Sequence, residues 1–308
     1  MTVLATRPGG AQTAPPAPRP ADDGAPRRRP RPRIAGVAVT NGVLVLGAVY
    51  TVFPVLWLVF ASLKDAGGLY STSVFDLDRW LIGENVSALL AEGDGLFARW
   101  MGNSLLYSLA GAVVGGIVST AAGYAFDKLR FRGKEGLFGF VLVGVLVPNT
   151  ATVLPLYMLF SQLGMVNTVW AIILPSLCNP FNVYLARAFS RAYVPDETLE
   201  AARMDGAGAV RTFFSVALPM LAPGFVTIAL FQFFAVWSNY MLPLVMLSDP
   251  TLYPVSLGIS HWQGLTAVDP RYAPLVITGS LLSLVPLVVA FVSLQRYWRA
   301  GMTEGSVK

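Results

Sequence analysis

The distribution of charge constrains this chain more than any other feature. Five stretches hold no Asp, Glu, Lys or Arg: residues 34 to 63, 100 to 126, 136 to 186, 212 to 248 and 272 to 295. A helix crossing a bilayer needs about 20 consecutive apolar residues, and every one of these stretches is long enough. The third, 51 residues in length, has room for two crossings joined by the turn Gln162-Leu163-Gly164-Met165-Val166-Asn167. Six transmembrane helices are therefore predicted in an all-α integral membrane protein. Residues 250 to 268 also lack Asp, Glu, Lys and Arg, but they hold two prolines, two glycines, Gln263 and His261, so they are expected to form an extramembrane loop. Composition agrees: charged residues make up 13%, against ~25% in an ordinary soluble domain. With 55% hydrophobic residues and a mean hydropathy of +0.59, a soluble fold could not hide the apolar surface.

Orientation follows from the cations, which resist translocation. With the N-terminus inside, 18 of the 22 Lys and Arg residues fall on the cytoplasmic side, in 1 to 33, 127 to 135, 187 to 211 and after 295. Only Lys64, Arg79, Arg99 and Arg271 lie outside. Both termini are expected in the cytoplasm, and the basic balance reports topology without any need for nucleic acid. Residues 1 to 33, rich in Pro, Ala and Arg, are expected to form a disordered tail, residues 34 to 295 the six-helix domain, and residues 296 to 308 a C-terminal tail. A cleaved signal peptide is the competing reading of the first apolar stretch, but a signal core runs only about 7 to 15 residues. The single cysteine, Cys178, excludes an intramolecular disulfide.

No ionisable residue lies within an expected span, which argues against a proton- or ion-coupled carrier. His261 has no companion for a zinc site or a hydrolytic triad, so no metal site and no catalytic residue are expected. Polar and helix-breaking residues interrupt the middle spans: Pro148, Asn149, Thr152 and Pro155, then Asn179 and Asn182, then Gln232, Asn239 and Pro243. Such interruptions are tolerated at membrane depth where they line a cavity or are buried in protein. Asn149, Thr152, Asn179, Asn182, Gln232 and Asn239 are thus candidates for a translocation pathway. Interhelical glue is an equal reading of the same amides. Gly111, Gly115, Gly116 and Gly123 mark a face suited to close helix packing.

Residues 190 to 219 read SRAYVPDETLEAARMDGAGAVRTFFSVALP. Pro195, Asp196 and Glu197 form a helix start, since proline fits the first turn and acids favour the positive end of the dipole. Glu200 is placed to pair with Arg203 one turn on. Gly206 is a C-terminal breaker, and Asp205 is placed to cap a second helix through Val210 and Phe214. Two short helices with a sharp bend follow. Two readings stand: an amphipathic helix on the bilayer surface, or a docking knob presenting Ala201, Ala202 and apolar neighbours to another protein.

The pattern Glu200-Ala201-Ala202, three residues, Gly206, nine residues, then Val216-x-Leu218-Pro219 resembles the EAA signature of permease subunits of binding-protein-dependent ABC importers. Val216 departs from the isoleucine common there. Residues 100 to 308 are most similar to the maltose-transporter-like, carbohydrate-importing branch, through Asn103-Ser104-Leu105, Gly123-Tyr124-Ala125-Phe126, Val147-Pro148, Pro155-Leu156-Tyr157, Asp205-Gly206-Ala207 and the ending Gly301 to Lys308. The resemblance implies a type I ABC importer permease fold in a bacterial cell membrane. It also implies a second permease subunit, two copies of an ATP-binding subunit and an extracytoplasmic solute-binding protein. Glu200, Ala201, Ala202, Arg203, Asp205, Gly206, Leu218 and Pro219 would then belong to a coupling loop seated on the ATPase. Tyr253, His261, Trp262 and Gln263 would contact the binding protein. No phosphate loop exists here; Arg132-Gly133-Lys134-Glu135 lacks the spacing and the hydroxyl, so ATP and Mg would be bound by partner subunits.

Overall fold

Helix is the only regular structure among the described residues of the computed structural model, which are 34–71, 73, 75, 76 and 80–303. The tail expected at 1 to 33 lies outside them. The chain divides into two compact units, residues 1 to 51 and 52 to 308. Within the first, residues 43 to 51 of helix α1 (Ile34–Ala61) expose large apolar side chains around the helix, with Leu46 at 74% and Tyr50 at 79% exposure. A helix hydrophobic all round belongs in lipid or against another apolar surface.

The second unit contains α2 (Ile82–Ala91), α3 (Leu96–Lys128), α4 (Lys134–Leu146), α5 (Asn149–Gln162), α6 (Trp170–Ser176), α7 (Pro180–Tyr193), α8 (Asp196–Met204), α9 (Ala209–Met220), α10 (Ala222–Trp237), α11 (Met241–Met246), α12 (Val255–Leu265) and α13 (Tyr272–Thr303). Three helices are long and apolar enough to cross a membrane unbroken, those at 36 to 61, 96 to 128 and 272 to 295. Two more candidate spans are bent pairs, α4 with α5 at 106° and α9 with α10 at 85°. Each bend has a proline behind it. Pro148 forces Val147 out of the helical region, to ψ 123°, and Pro223 lacks the N–H that would extend the preceding helix. The stretch expected as a fourth span is split at 177 to 179 into the short α6 and the longer α7, which starts at Pro180. The last helix continues past 295 to Thr303, through most of the segment expected as a tail.

Helix α3 is the axis of the fold. Trp100, Tyr107 and Tyr124 each anchor one of three buried clusters, and the first and last are about 36 Å apart at 1.5 Å per residue. Its second half, Gly116–Lys128, packs most extensively against α7. The expected glycine face packs against both α6 and α7: a Cβ on Gly123 would lie 2.4 Å from that of Ala186 in α7, and one on Gly115 2.9 Å from the carbonyl oxygen of Ser176 at the end of α6. Only hydrogen at these positions lets the backbones touch.

Candidate functional site

At the end of the bundle bearing residues 124 to 135, α8 and α9 form the expected pair of short helices with a sharp bend. Pro195 holds extended backbone immediately before Asp196 and Glu197, which occupy the first turn. Met204 ends the helix, and Gly206 follows at φ +78°. The Gly206 N–H donates to the Arg203 carbonyl and the Ala207 N–H to that of Ala202, both at 3.0 Å. This is a complete Schellman closure, with glycine in the left-handed position that any side chain would strain.

Asp205 departs from expectation. It is the C-terminal cap of α8, not the cap of the next helix, which starts after Gly208 with no side-chain cap. The Schellman bonds use up the residues that would have let Asp205 reach forward. Glu200 and Arg203 form no ion pair; the Arg203 charge acts instead on Asp196.

One face of α8 is anchored and the other is open. Leu199, at 2% exposure, packs in a cluster with Tyr124, Val194, Phe213, Ala217 and Leu221. Ala202 is half-buried, and Glu200, Ala201 and Arg203 are exposed. Met204 at 88%, Val210 at 73% and Phe214 at 52% put three large apolar side chains on the outside of the bend. Leu218 is half-buried and Pro219 exposed, beyond a π-helical turn at Phe213–Ala217. Such turns recur at functional sites inside α-helices.

A group of charges absent from the sequence expectations ties α8 to α3 and, beside it, α3 and α4 to α7. Lys128 donates to Asp196 Oδ1 at 2.8 Å, and Asp127 accepts from Ser190 Oγ at 3.0 Å. Arg187 pairs with Glu135 at 2.9 Å while stacking 4.0 Å over the Phe138 ring. The hydrogen bond and charge of Lys128 hold the Asp196 carboxyl below its ordinary range. The only available sequence signal is that acids sit among the cations at the ends of three helices.

The pathway candidates separate into two groups. Gln232 Oε1 accepts from Asn179 Nδ2 at 2.8 Å and from Asn182 Nδ2 at 2.7 Å, and Gln232 Nε2 donates to the Ser176 carbonyl at 2.5 Å. Asn179 also caps α7 through its oxygen. This amide cluster closes the break between α6 and α7 against α10. Asn182 at 0% and Gln232 at 3% exposure are buried in this conformation. Asn239 is half-buried and accepts from the Leu242 N–H. Asn149 is exposed and Thr152 half-buried at the start of α5, apart from that cluster.

At the opposite end, the segment expected as a loop contains α12. Its entry is held by one face of α3: Trp100 donates to the Pro250 carbonyl at 2.7 Å, Asn103 to those of Thr251 and Tyr253, and Tyr107 to that of Leu252 at 2.9 Å. Ser104 Oγ accepts from the Val255 N–H at 2.7 Å. Trp262, expected to contact a partner, is 3% exposed with its ring 4.4 Å from that of Trp100. It is core, because helical periodicity turns it inward with Val255 and Gly258. His261 and Gln263 are exposed, and Tyr253 is half-buried with its ring 6.1 Å from that of His261. Among the described residues, no group of His, Cys, Asp and Glu could hold a metal ion.

Residues 112–303, which include the bend, the amide cluster and α12, match the family described as the binding-protein-dependent transport system inner membrane component. The chain belongs to this family. It is 33% identical to the arabinooligosaccharides transport system permease protein AraQ of Halalkalibacterium halodurans, over 85% of this chain and 92% of that one. It is 30% identical to the lactose transport system permease protein LacG of Rhizobium radiobacter, over 88% and 96%. A solved bacterial ABC transporter involved in the import of the acidic polysaccharide alginate shares the fold, with a TM-score of 0.74 at 22% identity over 86% of this chain and 96% of that one. As an inner-membrane permease component, this family member has an all-helical fold of the type the sequence implied.

Proposed function

We propose that this chain forms half of the translocation pathway of an ATP-driven importer for a carbohydrate, an oligosaccharide or related sugar delivered by an extracytoplasmic solute-binding protein. The carbohydrate reading is supported by the relatives, whose names specify arabinooligosaccharides and lactose. The other partners in this reading are a second permease subunit and two copies of an ATP-binding subunit, which bind ATP and Mg. Both termini and the bend at Gly206 face the cytoplasm, as the distribution of Lys and Arg supports.

The observation that carries the coupling role is the build of α8: closed by a Schellman motif, anchored through Leu199, and open on the face bearing Ala201 and Met204. A helix held this way transmits displacement, where a soft tether would dissipate it. Glu200, Ala201, Ala202, Arg203, Asp205 and Gly206 form the docking surface, and Leu218 and Pro219 carry the movement toward α10. On the outer side, His261, Gln263 and Tyr253 are the binding-protein contacts that fit the exposure. Asn149 is the exposed pathway candidate, with Thr152 half-buried one turn on. Glu200→Lys is expected to leave the complex assembled while abolishing solute-stimulated ATP hydrolysis and uptake in proteoliposomes. Normal transport by that variant would remove the coupling role, and screening sugars against amines and peptides for stimulated hydrolysis tests the substrate class.

A further inference from the structure

Side chains of alternating sign run across three helices beneath the bend. Asp127, with its side chain 7% exposed, lies 3.6 Å from Arg191 Nε, 3.3 Å from Lys128 Nζ and 3.0 Å from Ser190 Oγ. Lys128, with its side chain 8% exposed, continues the line to Asp196 at 2.8 Å. Lys134 Nζ donates to the main-chain oxygens of Asp127 at 2.9 Å and Leu129 at 3.2 Å, fixing the end of α3 itself. The Tyr124 ring lies 5.3 Å from that of Phe213 in the cluster holding Leu199. One turn deeper, Gly123 locks α3 against Ala186 of α7.

The chain itself already joins α8 to α7. Nothing covalent joins α8 to α3, yet Lys128 and Asp196, 68 residues apart in sequence, are bonded directly. The exposed partner makes this bond weak if it stood alone, since solvent screens it. Its place in a network with the buried Asp127 and above an apolar cluster makes it one tie among several in the same direction.

We propose that Lys128 is a positioning residue that fastens α8 to α3 while Asp127 fastens α3 to Ser190 and Arg191 of α7, so that α3, α7 and α8 travel as one rigid body and α3 is the membrane helix driven directly by the ATPase. This inference rests on the coupling role of α8. It assigns the first step of force transfer to an element distant in sequence from the bend. Because α3 also holds the main chain of residues 250 to 255 at its other end, the same rigid body joins both faces of the bundle.

Cross-linking of the assembled complex with its binding protein in proteoliposomes tests the inference. Cys178→Ala removes the native thiol, and Lys128→Cys with Asp196→Cys places a pair at the joint for a short bifunctional thiol reagent. The cross-linked complex is expected to retain most of the uptake of its own uncross-linked form. Lys128→Met in the otherwise native complex is expected to raise ATP hydrolysed per solute imported about two- to fivefold, the range one partly exposed ion pair is worth, with Lys128→Arg restoring the native ratio. A cross-link that stops uptake until reduced, or an unchanged ratio in Lys128→Met, overturns the rigid-body inference. If Glu200→Lys transports normally, the coupling role of α8 has failed instead.

Discussion

Replacing Gly206 isolates the contribution of one backbone conformation to coupling. Its φ is +78°, and a Cβ built there meets nothing within 4 Å, so a new side chain brings strain without a clash. For an ordinary L-residue the left-handed region costs roughly 1–2 kcal/mol. Gly206→Ala should therefore reduce the population of the native bend, relative to its opened forms, by about 5- to 30-fold. Gly206→Asn should be milder, because a short polar side chain tolerates this region. Gly206→Pro should be the most severe: its φ is locked near about −65°, and it removes the N–H bonded to the Arg203 carbonyl, a bond worth about 1 kcal/mol more. Solute-stimulated ATP hydrolysis and uptake by the reconstituted complex should then fall in the order Asn, Ala, Pro, with insertion and assembly unchanged by blotting and copurification. Equal activity of Gly206→Pro and the native complex would refute the claim that a fixed bend is required.

At the outer end, Trp262→Ala should cost about 3–5 kcal/mol through the lost core contact with Trp100 and lower the melting temperature of the solubilised complex, whereas Gln263→Ala should leave melting unchanged and weaken only stimulation by the binding protein. Gln232→Leu should destabilise by about 1–3 kcal/mol for each buried amide or carbonyl left unpaired, read as a lower melting temperature. Asp196 has a depressed pKa, so its tie to Lys128 is fully present above the unfolded carboxylate value and lost as pH falls through the folded one. A spin label at Ala201→Cys, in a Cys178→Ala background, should keep the same mobility from pH 8 to about 5 and loosen only below about 4, the ordinary aspartate value. Loosening already near neutral pH would show that another group controls the anchor.

Much of the bend was legible in sequence because its determinants are local. Pro195 and Gly206 act through their own backbone torsions, and the acids at 196 and 197 through the adjoining helix terminus. Asp205 misled because a short acid is a good cap in either direction; only the Schellman bonds decide which helix it belongs to. Trp262 misled because a region with prolines and glycines reads as a loop, although residues 255 to 265 form a helix that buries one face. The Pro148 and Pro223 bends come from residues whose helix-breaking character is visible, but the 106° and 85° angles depend on tertiary packing. The amide cluster and the Lys128–Asp196 tie were hidden for a different reason. Charges at helix ends satisfy the topology rule whether or not they pair, and partners 50 or 68 residues apart leave no local pattern.

The clamp between α3 and residues 250 to 255 has an evolutionary consequence. The hydrogen bonds of Trp100, Asn103, Ser104 and Tyr107 go to main-chain oxygens and one N–H of this segment. Backbone recognition fixes the position of the outer rim without using the side chain of an exposed position such as Pro250, which is left open to substitution, while Leu252 and Val255 stay tied to the core. A lineage adapting to a new binding protein could therefore rewrite the exposed positions of that rim one residue at a time without rebuilding the helix that supports it.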